Sequence, residues 1–250
     1  MIGDPQGTVL AIFATFCRVG TCVMIMPGFG SLRVPPQIRL FLALALSMAV
    51  LPMMWSAIYP RVATDTTSYL ALIGGELLIG ATLGFIARLY VLALQFAGVS
   101  MSMLSGFNSM SSTDLDEGLP QTELATLINT IGLLLLFILG FHRMVITALV
   151  HSYDFMPVGH VFDARGALTT LTDTLSKSFM VALQLSSPFI VYGLIFNFAV
   201  GLINKLAPQI PIYFISLPFL LAGGLILLYF GSSTLFDVFA NQFPVVFNGQ

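Results

Sequence analysis

The sequence predicts an all-α membrane protein of about six hydrophobic helical segments folded into helical hairpins, and three observations carry that expectation. First, 57% of the 250 residues are hydrophobic, 8% are charged and the mean hydropathy is +0.97, whereas soluble domains carry roughly 25% charged residues. Second, apolar runs near the roughly 20 residues that a span requires recur at 8–26, 40–59, 69–107, 124–141, 178–201 and 212–230. Third, the last two runs are separated by Asn204-Lys205-Leu206-Ala207-Pro208-Gln209-Ile210-Pro211. Pro208 and Pro211 lack a backbone N–H and push the preceding residue out of the α region. One helix must therefore end near Leu206 and the next begin near Ile212, leaving a rigid tip that carries Pro208, Gln209 and Pro211. Hydrocarbon offers such a break no hydrogen-bond partner, so the tip needs a protein neighbour or water.

The first run is not expected to be a cleaved signal peptide, because Asp4 is the one charge before it and Arg18 interrupts it. Cys17 and Cys22 have no metal-ligand spacing and are expected to be reduced packing residues. A Pro-rich basic loop (27–39) and a short turn (60–68) bracket the second run. The third run is long enough for one tilted helix with an extension, or for two helices broken near Arg88 and Tyr90. An acidic loop (111–123) precedes the fourth run, and a mixed stretch (142–177) precedes the fifth. No soluble domain, long linker or low-complexity tail interrupts the pattern, so one domain covering 1–250 is expected.

A net charge of −2 with scattered charges gives no basic field for nucleic acid. With six spans, Arg33, Arg39 and Lys205 fall on one side and Arg61, Arg143, Arg165 and Lys177 on the other. The cationic bias that normally fixes topology is thus nearly absent. One explanation is that much of the apolar surface faces other subunits.

Close helix contact is signalled by Gly80 and Gly84, and by Gly98, Ser102 and Gly106 at four-residue spacing. Spacing alone leaves open whether the contact is within the chain or between subunits. Asn197, Gly201 and Asn204 form a polar stripe that suits a packed partner or a wet groove. Three charges interrupt apolar runs, Arg18, Glu76 and Arg88, and a charge at membrane depth faces a partner or water. Glu76 and Arg88 are about 18 Å apart along one continuous helix and cannot pair there, which leaves Glu76 to Arg18 across neighbouring helices. The alternative use of Glu76 is an ion relay in a small secondary transporter.

Catalytic patterns are lacking: His142, His151 and His160 have no ligand spacing, and neither a phosphate loop nor a nucleophile elbow occurs. Neither an enzyme nor a bound metal or cofactor is expected. The stretch 100–110 is distinctive in joining adaptable methionines to Ser and Gly. Met101, Met103, Phe107 and Met110 could form a soft channel seal, or the stretch could be a fraying helix end.

The segment Gly201-Leu202-Ile203-Asn204-Lys205-Leu206-Ala207-Pro208-Gln209, followed by Pro218, resembles the G-L-x-x-x-x-A-P-Q hairpin of the FliR family of type III export-gate proteins. Other elements match in order. They are Arg18 with Pro27, Pro35 and Arg39; Glu76, Gly80, Gly84, Ala97 and Gly98; and Gly140-Phe141-His142 with Ser152, Tyr153, Pro157 and Gly159. The chain departs from the family at Ile210-Pro211-Ile212-Tyr213, where an Asn-Val-Phe-like run is usual. The resemblance implies a multi-pass, single-copy subunit of the bacterial inner membrane and the flagellar basal body. It implies assembly with FliP-like and FliQ-like subunits and other export-apparatus membrane proteins into a helical ring, through which unfolded flagellar polypeptides pass. It equally admits a virulence-injectisome role, and it places 101–118 at the family's plug-like loop.

Overall fold

A computed structural model describes residues 5–31, 34–59, 66–107, 111–113, 120–159 and 162–248. The helices are α1 (Pro5–Ile25), α2 (Pro36–Met53), α3 (Trp55–Ile58), α4 (Thr66–Leu104), α5 (Glu123–Ile138), α6 (Phe141–Phe155), α7 (Ala164–Leu206) and α8 (Ile212–Asn248). Strands β1 (Ser111–Thr113) and β2 (Pro120–Thr122) form an antiparallel hairpin, with Ser112 opposite Gln121.

Local chemistry explains most boundaries. Pro36 opens α2, where a missing N–H costs nothing. Thr122 caps α5 by accepting the Ala125 N–H at 3.3 Å. Gly140 takes a left-handed φ of 82° between α5 and α6, which only glycine does without strain. Pro188 lies inside α7 and leaves the Gln184 carbonyl without its helical donor; the Ser187 hydroxyl donates to that carbonyl at 2.9 Å.

Among the described residues, five helices are long and apolar enough to cross a membrane, or six if α5 and α6 together make one bent span. The third apolar run is a single 39-residue helix with no break at Arg88 or Tyr90. Two boundaries differ from the hydropathy pattern. The mixed stretch 142–177 is largely helical: it holds α6 and the first turns of α7. Helix α8 continues past 230 to Asn248. Hydropathy marks apolar length, whereas helix length also includes turns whose polar residues keep the i to i−4 hydrogen bonds.

The chain divides into two units. The first, Met1–Leu89 with Gly140–Leu175, has a core that includes Ala14, Val19, Met26, Ile79, Phe141, Val145 and Leu149. The second, Tyr90–Leu139 with Ser176–Gln250, is built around Leu94, Met101, Ile128, Phe189, Phe239 and Phe243. There the Tyr90 ring stacks on Phe239 with centroids 4.9 Å apart, and its hydroxyl donates to the Phe239 carbonyl. Cys17 and Cys22 are both buried and unbridged.

Candidate functional site

Helices α1 and α4 run in the same direction. The Tyr69 hydroxyl donates to the Leu10 carbonyl at 2.9 Å, and further along Glu76 and Gly80 meet Arg18, then Gly84 meets Cys22. Glu76, Gly80 and Gly84 share one face of α4 because they repeat every four residues. A Cβ at Gly80 would overlap the Arg18 carbonyl, and one at Gly84 would lie 2.8 Å from the Cys22 oxygen. The G-x-x-x-G pair is therefore a contact within the chain.

That close approach brings Arg18 and Glu76 together. Arg18 Nε donates to Glu76 Oε2 at 2.6 Å and Nη2 donates to Oε1 at 2.9 Å, a two-pronged pair in which the side chains are 0% and 2% exposed. The remaining donors reach the end of α6. Nη1 donates to Ser152 Oγ at 3.0 Å and Nη2 to the Met156 carbonyl at 2.9 Å. The Ser152 hydroxyl in turn donates a hydrogen bond to the Leu149 carbonyl at 2.6 Å, and the Tyr153 ring centroid lies 4.0 Å from the guanidinium carbon. A charge pair taken out of water is tolerated only when its hydrogen-bonding capacity is met in this way. Ser152 and Tyr153 stand in the stretch that resembles the family pattern, but no spacing in the sequence shows that they surround Arg18. Arg88, the third charge, is half-buried and lies about 18 Å further along α4 than Glu76.

In the second unit, Gly98 packs on α5: its Cβ would stand 3.4 Å from the Ala125 Cα, an ordinary contact. Gly106, placed on the helix by the spacing pattern, lies beyond its end at Leu104, in a turn with φ +81°. Met101 and Met103 of the candidate seal do not share a surface. Met101 is 0% exposed in the core, while Met103 is 56% exposed, as positions two apart on a helix face different ways. Phe107 is half-buried, and Met110 lies outside the described residues. Within this chain Met101 therefore packs in the core and Met103 faces outward. Ser102 is buried and hydrogen-bonded to the Thr122 hydroxyl, tying the end of α4 to β2.

The proline break has the form its chemistry dictates: α7 ends at Leu206 and α8 begins at Ile212. The Ala207 N–H still reaches the Ile203 carbonyl at 2.9 Å, and the Ile210 N–H reaches the Ala207 carbonyl at 3.2 Å. Pro208, Gln209 and Pro211 are exposed, Leu206 is 84% exposed, and every residue from 201 to 206 is exposed. A full helical turn there has no buried face, and a Cβ at Gly201 would meet nothing within 4 Å. Replacing Pro208 and Pro211 with Ala is expected to lengthen the helices and re-aim the tip. Under the flagellar export role that the family resemblance implies, the expected outcome is loss of swimming and secretion with near-normal amounts of the chain, and wild-type swimming would show that the tip angle has no role.

The profile of the family described as "Bacterial export proteins, family 1" matches residues 9–245. "Flagellar biosynthetic protein FliR" of Caulobacter vibrioides is 32% identical over 232 residues, covering 91% of this chain and 90% of that protein. The protein of the same name from Bacillus subtilis is 25% identical over 238 residues (94% and 91%), and that of Escherichia coli K12 is 28% identical over 218 (86% and 82%). With the match running through the paired glycines, the buried ion pair and the proline tip, the chain belongs to the bacterial export proteins, family 1.

Proposed function

We propose that the chain is a subunit of the flagellar type III export gate, set in the bacterial inner membrane and forming with FliP-like and FliQ-like subunits the passage for unfolded flagellar polypeptides. Membership of the export family and similarity to proteins named for flagellar biosynthesis support the flagellar export role. The observation that carries the subunit role is the mismatch between this chain's apolar helices and a bilayer. Helix α4, with 39 residues, is about 58 Å long, against about 30 Å of hydrocarbon. Fitting it inside would require a tilt of about 60°, beyond the roughly 0–40° found for membrane helices. The end of α7 adds exposed Leu194, Ile195, Phe198 and Leu202 beside exposed Asn197 and Asn204, a mixture that suits protein neighbours better than lipid. Both observations support neighbouring subunits as the cover for this surface.

The gate role needs no chemistry from this chain. Glu76 has both carboxylate oxygens engaged by the fixed fork of Arg18 donors, so the pair suits an architectural tie and not an ion relay. Closure of the passage is assigned to Met103, Phe107 and Met110, with Met101 anchoring the segment from the core. A flexible apolar constriction excludes water and ions yet yields to a passing chain. Replacing Met103, Phe107 and Met110 together with Gly is expected to leave the complex assembled while cells become permeable to ions and to a small dye. An assembled complex with unchanged permeability would overturn the seal.

A further inference from the structure

Helix α2 combines two properties: its length suits a bilayer, and its exposed side is apolar throughout. Its 18 residues make about 27 Å of helix, close to the roughly 30 Å of hydrocarbon, whereas α4, α7 and α8 have 39, 43 and 37 residues. Helix α1 is of similar length, yet none of its residues beyond Phe13 is exposed. One side of α2 is packed: Ala43, Ser47 and Val50 are buried, and a Cβ at Gly20 of α1 would stand 3.8 Å from the Ala43 Cβ. The other side exposes Ile38, Phe41, Leu44, Ala45, Met48 and Met53. From Leu40 to Met54 the one side chain with a nitrogen or oxygen is that of Ser47, and its hydroxyl donates to the Ala43 carbonyl at 2.6 Å. Such a band offers nothing to water, and unlike the end of α7 with Asn197 and Asn204 it carries no polar group for a protein neighbour to bond. Hydrocarbon is the neighbour whose chemistry it matches.

Both ends of the band carry groups suited to a membrane surface. At the start stands Arg39, whose hydrogen bond among the described residues is a long one, 3.5 Å from Nη1 to the Gly30 carbonyl. The other donors of its fork are left for an anion such as a lipid phosphate. At the far end, the Met54 N–H closes on the Val50 and Leu51 carbonyls at 3.2 Å, and α3 stacks Trp55 on Tyr59 with ring centroids 4.8 Å apart. Ile58, fully buried, pins α3, while Trp55 and Tyr59 stay half-buried. Indole and phenol rings collect at the headgroup level because one end is apolar and the other forms hydrogen bonds. Arg39 and Trp55 are about 24 Å apart along the helix, a separation that the outward reach of a long Arg side chain extends to the phosphates.

We infer that α2 is the lipid-facing span of the first unit: its exposed side lies against acyl chains, with Arg39 on a lipid phosphate at one surface and the Trp55–Tyr59 stack among the headgroups of the other. This lipid face rests on the membrane setting proposed above, whichever subunits surround the rest of the chain.

The test is a nitroxide scan of the assembled complex in vesicles of phosphatidylethanolamine and phosphatidylglycerol. Phe41→Cys, Leu44→Cys, Met48→Cys and Trp55→Cys are labelled singly, with the complex lacking an added Cys as background. Collision with oxygen, which concentrates among acyl chains, relative to collision with a water-soluble nickel chelate, is expected to be highest at 44 and 48 and at least about threefold lower at 55. Labels that meet neither reagent would mean that a protein covers α2, and labels that meet the chelate as readily as oxygen would mean that water does; either result overturns the lipid face. Ala45→Cys and Met53→Cys lie on the same side and replace any variant that does not assemble. In native mass spectra, the wild-type complex and Arg39→Lys should retain more phosphatidylglycerol than Arg39→Gln, and equal retention would remove the phosphate contact. The gate and the lipid face fail separately. A complex with FliP-like and FliQ-like subunits whose labels meet neither reagent keeps the gate and loses the lipid face, whereas an oxygen-rich profile in a chain recovered without partners does the reverse.

Discussion

Gly80→Leu is expected to remove the intact complex from membranes, and Gly80→Ala to reduce it severely. A Cβ at 80 overlaps the Arg18 carbonyl, which belongs to helix backbone and cannot rotate away. Ordinary overpacking costs about 1–3 kcal/mol, and a backbone obstruction that separates α1 from α4 lies at or above the top of that range. The same displacement would pull Glu76 from Arg18, one turn away. Other glycines supply an internal scale, because Ala at Gly74 would meet nothing within 4 Å, at Gly98 it would stand 3.4 Å from Ala125, and at Gly84 it would stand 2.8 Å from the Cys22 oxygen. Yield of the detergent-extracted complex should fall in the order Gly74→Ala, Gly98→Ala, Gly84→Ala, Gly80→Ala. Equal yields from Gly74→Ala and Gly80→Ala would show that the close approach of α1 and α4 is not needed.

Breaking the Arg18–Glu76 pair is the second large effect. Arg18→Met strands a buried carboxylate and Glu76→Leu strands a buried guanidinium, each expected to cost about 3–5 kcal/mol. The double variant carries no buried charge and should recover a substantial part of that loss. Recovery should be incomplete, because Ser152 and the Met156 carbonyl lose their donor. Thermal aggregation of the purified complex, read as a double-mutant cycle, checks this through the sign of the coupling. An ion relay predicts a different pattern: Glu76→Gln would keep full thermal stability and lose function. On the present account Glu76→Gln loses stability, because Arg18 then faces a neutral amide that retains only one acceptor.

The parts of this architecture that the sequence makes legible are those set by neighbours along the chain. Pro208 and Pro211 fix the ends of α7 and α8 by steric exclusion and the loss of N–H donors, so the hairpin is readable without coordinates. The four-residue spacing of Glu76, Gly80 and Gly84 likewise marks one face, although only the fold shows that α1 covers it. What spacing hides is pairing across distance. Ser152 and Tyr153 are more than a hundred residues from Arg18 and look like an ordinary polar end to α6. Met101 and Met103 are chemically identical, and only the rotation of α4 relative to its core separates a packed side chain from an exposed one. The polar start of α7 escapes hydropathy for a different reason, because its helical hydrogen bonds form whether or not its side chains are apolar. The β1–β2 hairpin is invisible to the apolar pattern too, since its three-residue strands, reading Ser-Ser-Thr and Pro-Gln-Thr, contain no hydrophobic residue.

The most direct test of the central claim, that this chain is one subunit of a membrane export gate, is the mass of the intact assembly. Purification of the tagged chain from membranes, followed by mass determination of the intact complex, is expected to show it bound to FliP-like and FliQ-like proteins in one stoichiometric particle. Recovery of the chain alone, as a monomer that stays folded and transports ions in liposomes, would contradict the account.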